Sequence, residues 1–297
     1  MKLQSVDKQQ VRRNRLLDAS PRALVLLAPS ATAIPRSLDN VHTDVIRYNA
    51  LLDSMQKLRA AVYLQDGAIQ KNHLSDGRHR QAHDEGSWHL LVLDDAGGVC
   101  GCARYREYLN NTQFSNLGVS RSALAKCSQW GHRLRSSVEA ELALSRQMAL
   151  PYVELGGWAL LDQIRGTTEA IRMALLTYGL SQALGGGVGI STATYRNGSA
   201  SILRRIGGQS LTHATRELPT YHDPQYECEM EVLRFYSWAP NPRYAPWISD
   251  LKATLLEIPI MTNGVSDPSW KFRRDFIPNN GWRDSTVPAE NSRSSFV

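Results

Sequence analysis

The segment Tyr152-Val-Glu-Leu-Gly-Gly-Trp-Ala-Leu-Leu161, followed by Asp162-Gln-Ile-Arg-Gly-Thr-Thr-Glu-Ala170, decides how this chain is read. Its first half is apolar enough for a buried strand. Its second half is a short polar turn that opens a helix from about Thr167 to Ala183, where the glycines at 185–187 end it. Such a turn leaves backbone N–H groups unpaired at the positive end of a helix dipole, a setting that suits a pyrophosphate, and Arg165 adds a cation. The same residues also read as an ordinary strand–loop–helix in which Thr167 or Thr168 caps the helix.

On either side of this segment, apolar runs alternate with helical periods, which argues for an α/β or α+β domain. Ala23 to Ala28 reads as a strand. Val45, Tyr48, Leu51, Leu52, Met55, Leu58 and Val62 recur at three- and four-residue spacing and predict a helix from about Thr43 to Tyr63. Trp88 to Asp94 and Val99 to Tyr105 flank Asp94-Asp-Ala-Gly-Gly98 as a hairpin, with Cys100 and Cys102 expected to pack on one strand face. A helix from about Leu134 to Ala149 stops at Pro151. Val188 to Thr194 is a strand, Gly198 to Ile206 a helix, and Gln209–Thr215 and Glu229–Tyr236 are the last strands. Residues 1–20 read as a polar N-terminal extension, 21–263 as one domain and 264–297 as a C-terminal tail. The tail's Trp270, Phe272, Phe276 and Trp282 predict that it docks.

The 297 residues include 34 Lys and Arg against 28 Asp and Glu, with 42% hydrophobic residues and a mean hydropathy of −0.35. This balance excludes a wholly disordered chain, and no apolar run approaches the roughly 20 residues that span a bilayer. Four cysteines without CxxC spacing exclude a disulfide scaffold and a redox dithiol, so a reducing, cytoplasmic setting is expected. The pI of 9.2 predicts attraction to an anion without saying which. His79 and His83 lie four apart but lack further clustered ligands, so no metal is expected. Gly185-Gly-Gly-Val-Gly189 follows a helix and reads as its C-cap, and no Gly-x-Ser-x-Gly elbow is present.

The order of elements over about residues 43–236 resembles the GNAT superfamily of N-acyltransferases. Gln163-x-x-Gly166-x-Thr168 stands where that family carries Gln/Arg-x-x-Gly-x-Gly/Ala. Tyr195-Arg-Asn-Gly-Ser-Ala-Ser-Ile-Leu-Arg-Arg-Ile-Gly207 is similar to its Asn turn, helix and terminal Gly. Within the superfamily the closer similarity is to acyl-homoserine-lactone synthases and N-acyl amino acid synthases. Arg59 and Tyr63 keep the Arg-and-aromatic spacing of their first helix, and Asp84, Gly101 and Arg104 match an acidic segment and a Gly-x-x-Arg strand. Glu154 matches the Glu of their Glu-x-x-Arg, whose Arg is replaced here by Gly157.

The resemblance implies a GNAT-like mixed, bent central sheet flanked by helices. It implies N-acyl transfer from a pantetheine thioester, long-chain acyl carrier protein or acyl-CoA, to a small amine such as an amino acid, with no metal. Glu154 is then the proton acceptor, and Arg59, Tyr63, Asp84 and Arg104 form the acceptor pocket. Trp158, Leu160, Gln163, Arg165, Gly166, Thr167 and Thr168 bind the donor, while Arg204 and Arg205 contact an acidic carrier protein. Leu203 or Arg204 occupies the region where many members place a general-acid Tyr, which leaves Tyr178 and Tyr195 as substitutes. One alternative is an acetyl-CoA acetyltransferase. Another, from a different class, is a basic nucleic-acid-binding module on an inactive scaffold, using Arg12, Arg13, Arg15, Arg204, Arg205, Arg273 and Arg274. These arginines are dispersed and lack an aromatic RNA-binding signature, which favours the enzyme and no nucleic-acid partner.

Overall fold

Leu24, Val25, Leu26 and Leu27 are all buried, which requires a strand covered on both faces, and the sheet that contains them is the centre of the structure. The computed structural model describes residues 22–30 and 32–264. The extension at 1–20 and the four tail aromatics lie outside the described residues. The strands are β1 (Leu24–Leu27), β2 (Val41–Thr43), β3 (Trp88–Leu93), β4 (Val99–Tyr108), β5 (Tyr152–Leu160), β6 (Val188–Thr194), β7 (Gln209–Ser210), β8 (Thr212–His213), β9 (Arg216–Glu217), β10 (Tyr221–Asp223), β11 (Cys228–Tyr236) and β12 (Ile260–Thr262). The helices are α1 (Val45–Gln65), α2 (Ala123–Lys126), α3 (Gly131–Gln147), α4 (Glu169–Ala183), α5 (Ser199–Ile206) and α6 (Ala245–Glu257).

One mixed sheet runs in the order β10-β11-β6-β5-β4-β3-β1-β12-β2, with β7 added to β11, while β8 and β9 pair only with each other. Residues of α4, α5 and α6, such as Met173, Leu203 and Ile248, pack on one face with Leu26, Val92, Val153 and Phe235. The other face is shared between α1, whose Leu52, Met55 and Leu58 meet Leu27 and Leu91, and α3, whose Leu134 and Val138 meet Tyr152 and Ile190. From Tyr48 to Val62 the stripe that predicts α1 is the stripe it buries, whereas Val45 at its first turn is exposed, and Asp44 fixes the start by accepting a hydrogen bond from Arg47 N at 2.9 Å. Among the described residues no helix is long and apolar enough to cross a membrane.

β5 is the pivot. It pairs antiparallel with β4 along its length but parallel with β6 only from Tyr152↔Val188 to Leu155↔Ser191. Beyond Leu155 the two parallel strands part. Gly157, in the left-handed region at φ +61°, and a register shift opposite Cys102–Arg104 bend β5 at this point.

The predicted elements recur with small changes of boundary, and two expectations are corrected. Cys100 and Cys102 do not share a face: Leu93 pairs with Val99 and Val92 with Gly101, so Cys100 is an extra residue in the ladder. Cys100 packs on the α4 side and Cys102 on the α1 side. Gln209–Thr215 is not one strand, because buried Leu211 separates β7 from β8 and the two join different sheets. β2, β10, α6 and β12 complete the fold from segments that the sequence reading leaves as connections.

Candidate active site

Where β5 parts from β6, a cavity of about 830 Å³ passes between them, lined by residues from both faces of the sheet. Val153, Ala174, Tyr178 and Phe235 wall it on the α4 side, and Arg104, Glu154, Tyr221 and Tyr226 on the other. One rim is the Arg165–Thr168 turn opposite Arg196 and Asn197.

Strand alternation places Arg104, Tyr108, Glu154 and Gly156 on one face, since Arg104 stands opposite Gly156 and Arg106 opposite Glu154. Glu154 Oε2 accepts hydrogen bonds from Tyr108 Oη at 2.5 Å and from Gly118 N at 2.9 Å. Its Oε1 accepts none from a described residue, and a Cβ at Gly118 would collide with it. Burial and the adjacent Glu154 carboxylate push the Tyr108 phenol above its usual pKa, so it remains a donor at neutral pH.

Arg104 is 7% exposed. Its Nη1 donates to Gln81 Oε1, its Nε has no partner, and no described carboxylate lies within ion-pairing distance of its guanidinium. Burial lowers its pKa, with the field of Glu154 acting in the opposite direction, and the group stays charged near neutrality. Gly157 makes room for this side chain: a Cβ there would lie 3.0 Å from Arg104 Cβ.

Of the four residues expected in the acceptor pocket, Tyr63 and Arg104 line the cavity, whereas Arg59 and Asp84 lie behind its wall. Arg59 is fully buried and grips Asp84 through Nη1 to Oδ1 at 2.8 Å and Nη2 to Oδ2 at 2.5 Å, with a further bond to His79 O at 2.7 Å. Burial raises the Asp84 pKa, but the Arg59 hydrogen bonds and charge outweigh it and the net direction is down. Two opposite charges shut away from water satisfy each other, and here they hold the 79–84 segment against α1.

Trp158, Leu160, Arg165, Gly166, Thr167 and Thr168 of the expected donor set line the cavity; Gln163 is exposed and off its wall. Arg165 is not a free cation. It binds Asp66 at the end of α1 through Nη1 at 2.9 Å and Nη2 at 2.8 Å, and Asp66 also accepts from Asn197 Nδ2 at 3.0 Å. Thr168 makes no side-chain cap; Thr167 Oγ1 accepts from Glu169 N at 3.2 Å instead. Gly166 adopts φ +73° with open space where a Cβ would stand.

Arg204 is likewise committed, its Nε lying 2.8 Å from both oxygens of buried Glu231, while the Arg205 side chain on the cavity rim has no described partner. Tyr178 lines the cavity with an unpartnered hydroxyl; Tyr195 is 43% exposed and lies off the wall. Leu203 is on the wall. Gly185 and Gly186 cap α4 with N–H bonds to Gln182 O and Ser181 O. Among the described residues no three His, Cys, Asp or Glu side chains gather as metal ligands. Gln81, His83, Tyr108 and Gly118 are the wall or anchoring residues that sequence reasoning misses. Only Tyr108 left a signal, four residues after Arg104 on the same strand face.

No family model matches the sequence, and no curated protein matches it. Solved structures with a similar fold include a CoA-dependent acyl-homoserine lactone synthase, BjaI, with SAM and isopentyl-CoA, at 11% identity, covering 81% of this chain and 93% of that one with a TM-score of 0.49. Others are the AHL synthase LasI, at 17% identity, 64% and 84% coverage and a TM-score of 0.41, and FeeM, an N-acyl amino acid synthase from uncultured soil microbes, at 10%, 73%, 92% and 0.40. The likeness is one of fold.

Proposed function

We propose that this protein is an N-acyltransferase that moves an acyl group from a pantetheine thioester to the amine of an α-amino acid. One arrangement carries the reading: beside the point where β5 and β6 part, Glu154 and Arg104 line the same cavity without pairing with each other. A cation and a carboxylate held apart in this way suit a zwitterion, its carboxylate on Arg104 and its amine toward Glu154. Glu154 takes a proton from the ammonium. The amine nitrogen then attacks the thioester carbonyl carbon, the C–N bond forms, the C–S bond breaks with its electron pair leaving on sulfur, and the thiolate takes the second proton that nitrogen sheds in becoming the amide, so the carrier departs as a thiol. Rate comes mainly from proximity and proton removal.

The donor arm enters at the Arg165–Thr168 turn, where its phosphate meets the N-terminal N–H groups of α4, and its amides pair with the β5 edge that β6 leaves free near Trp158 to Leu160. The apolar α4 side, walled by Ala174, Tyr178, Ile206 and Phe235, suits a chain longer than acetyl. A long-chain acyl carrier protein is therefore the preferred donor, with acyl-CoA as the other pantetheine source.

The test is incubation with the common amino acids and each of long-chain acyl carrier protein, long-chain acyl-CoA and acetyl-CoA, with products read by mass spectrometry. An N-acyl amino acid from a long-chain thioester is the expected product. Acetylation alone would move the protein to the acetyltransferase class. Glu154→Gln should keep its fold and donor affinity yet lose on the order of 10²-fold or more in rate; unchanged turnover would remove Glu154 from the chemistry.

A further inference from the structure

Arg104 is a buried cation that no described carboxylate pairs: Glu154 acts on it only through its field, and its other neighbours are neutral or already committed. Asp84 receives two hydrogen bonds from Arg59, one from Gln56 Nε2 at 3.1 Å and one from Gln81 N at 3.0 Å, which leaves it nothing for a second guanidinium. His89, opposite Arg104 in the β3–β4 register, is buried with Nε2 2.8 Å from Asp84 O. Burial pushes His89 down to about 4 and His83 to about 3, so both are uncharged at neutral pH. Gly156, opposite Arg104 on β5, adds no side chain, and the place its Cβ would take lies 3.3 Å from Arg104 Nη2. Among the described residues, the one side chain that touches the Arg104 guanidinium with a polar atom is Gln81. Its Oε1 accepts from Arg104 Nη1 and, at 3.4 Å, from Arg59 Nη1.

An amide and a carboxylate have nearly the same shape. A Glu at 81 would make the same contacts and, lying between two guanidinium groups, would be ionised and would neutralise Arg104. A Gln steers the guanidinium and leaves its charge whole. We propose that Gln81 is a specificity-determining residue: it orients Arg104 without neutralising it, so that the acceptor's carboxylate supplies the missing counter-charge and amines lacking one are disfavoured. An acceptor without a carboxylate leaves the buried cation desolvated and unpaired, the circumstance in which a polar pocket discriminates most strongly. This rests on the amino-acid acceptor proposed above, and its test is separable from that reading.

Alanine, propionate and ethylamine divide the zwitterion into its parts. Calorimetric titration of the full chain with propionate reads the Arg104 site without turnover. Wild type should bind propionate, and Gln81→Glu, unfolding at the same temperature, should bind it on the order of 10- to 100-fold more weakly, the scale of a charge-assisted bond. Gln81→Met, which keeps the site neutral but removes the orienting oxygen, should weaken binding by only about 5-fold, the low end for one lost hydrogen bond. In turnover, Gln81→Glu should raise KM for alanine and lower it for ethylamine, while KM for the thioester donor stays put. Propionate that does not bind wild type, that binds Gln81→Glu equally well, or that is lost as fully in Gln81→Met overturns the proposal. Charge-dependent propionate binding by a chain that acylates no amino acid would sustain it and overturn the reaction instead.

Discussion

Gly157 supports Arg104 by lacking a side chain. Its φ of +61° is open to Gly at no cost, and a Cβ would press on Arg104 Cβ at 3.0 Å with Arg59 Nη1 3.7 Å away. Gly157→Ala should therefore lose about 1–3 kcal/mol in chemical denaturation and also raise acceptor KM, because Arg104 must shift; a variant as stable and as active as wild type would remove the glycine from this role. The histidines add a pH dependence at the same scale. Burial holds His79 and His89 down at about 4 and His83 at about 3, against an ordinary 6.5. Because the folded values are depressed, the unfolded chain binds more protons below 6.5, so stability is complete above that pH and falls as pH drops toward 4. Thermal melts should be flat from pH 8 to 7 and decline below about 6.5, and His89→Gln should flatten part of that decline. A melting temperature unchanged down to pH 4.5 would contradict it.

Among the elements, the Arg165–Thr168 turn gives the sharpest expectation. Gly166 sits in the left-handed region, which Asp tolerates better than most residues, and no atom lies within 4 Å of a Cβ there. Gly166→Asp should keep the fold and weaken donor binding through charge, while acceptor affinity moves little; donor Kd values equal within error would take the turn out of the site. The turn was legible because its geometry is local: strand, polar turn and helix succeed one another in sequence. So were α1 and α4, whose apolar residues recur at helical spacing. α6 carries the stripe Ile248, Leu251 and Leu255, but with Pro246 in its first turn and Pro259 just beyond its end it reads as a connection. β2 and β12, three residues each, have no period to read and exist only through partners more than two hundred residues away. Within the site, Arg104 and Glu154 were legible as charges inside apolar strands, which burial permits only for a reason. That Arg59 would close on Asp84 and leave Arg104 to Gln81 was not, because it depends on how the 79–84 segment folds back over α1.

For the molecule as a whole, charge placement bears on the choice of donor. The chain is basic, but Arg165 and Arg204 are matched by Asp66 and Glu231, which leaves Arg205 as an unmatched cation on the cavity rim. If an acidic carrier protein docks at that rim, Arg205→Glu should raise KM for acyl carrier protein several-fold at low salt and much less at high salt, with KM for the corresponding acyl-CoA far less affected. Equal effects on both donors would argue against a carrier surface there.

The position of β12 also governs how the molecule is assembled. It enters between β1 and β2, parallel to both, so the strand made last among those described completes the part of the sheet made first. As the chain leaves the ribosome, β1 can pair with β3, but one edge of β1 stays open and β2 has no neighbour until residue 260 has been synthesised. An apolar edge left unpaired for that interval is exposed to pairing with other nascent chains. Closing a loop of this length makes the final step slow relative to the local hairpins. Yield in cells should therefore depend on translation rate and chaperone supply more than the stability of the finished fold suggests.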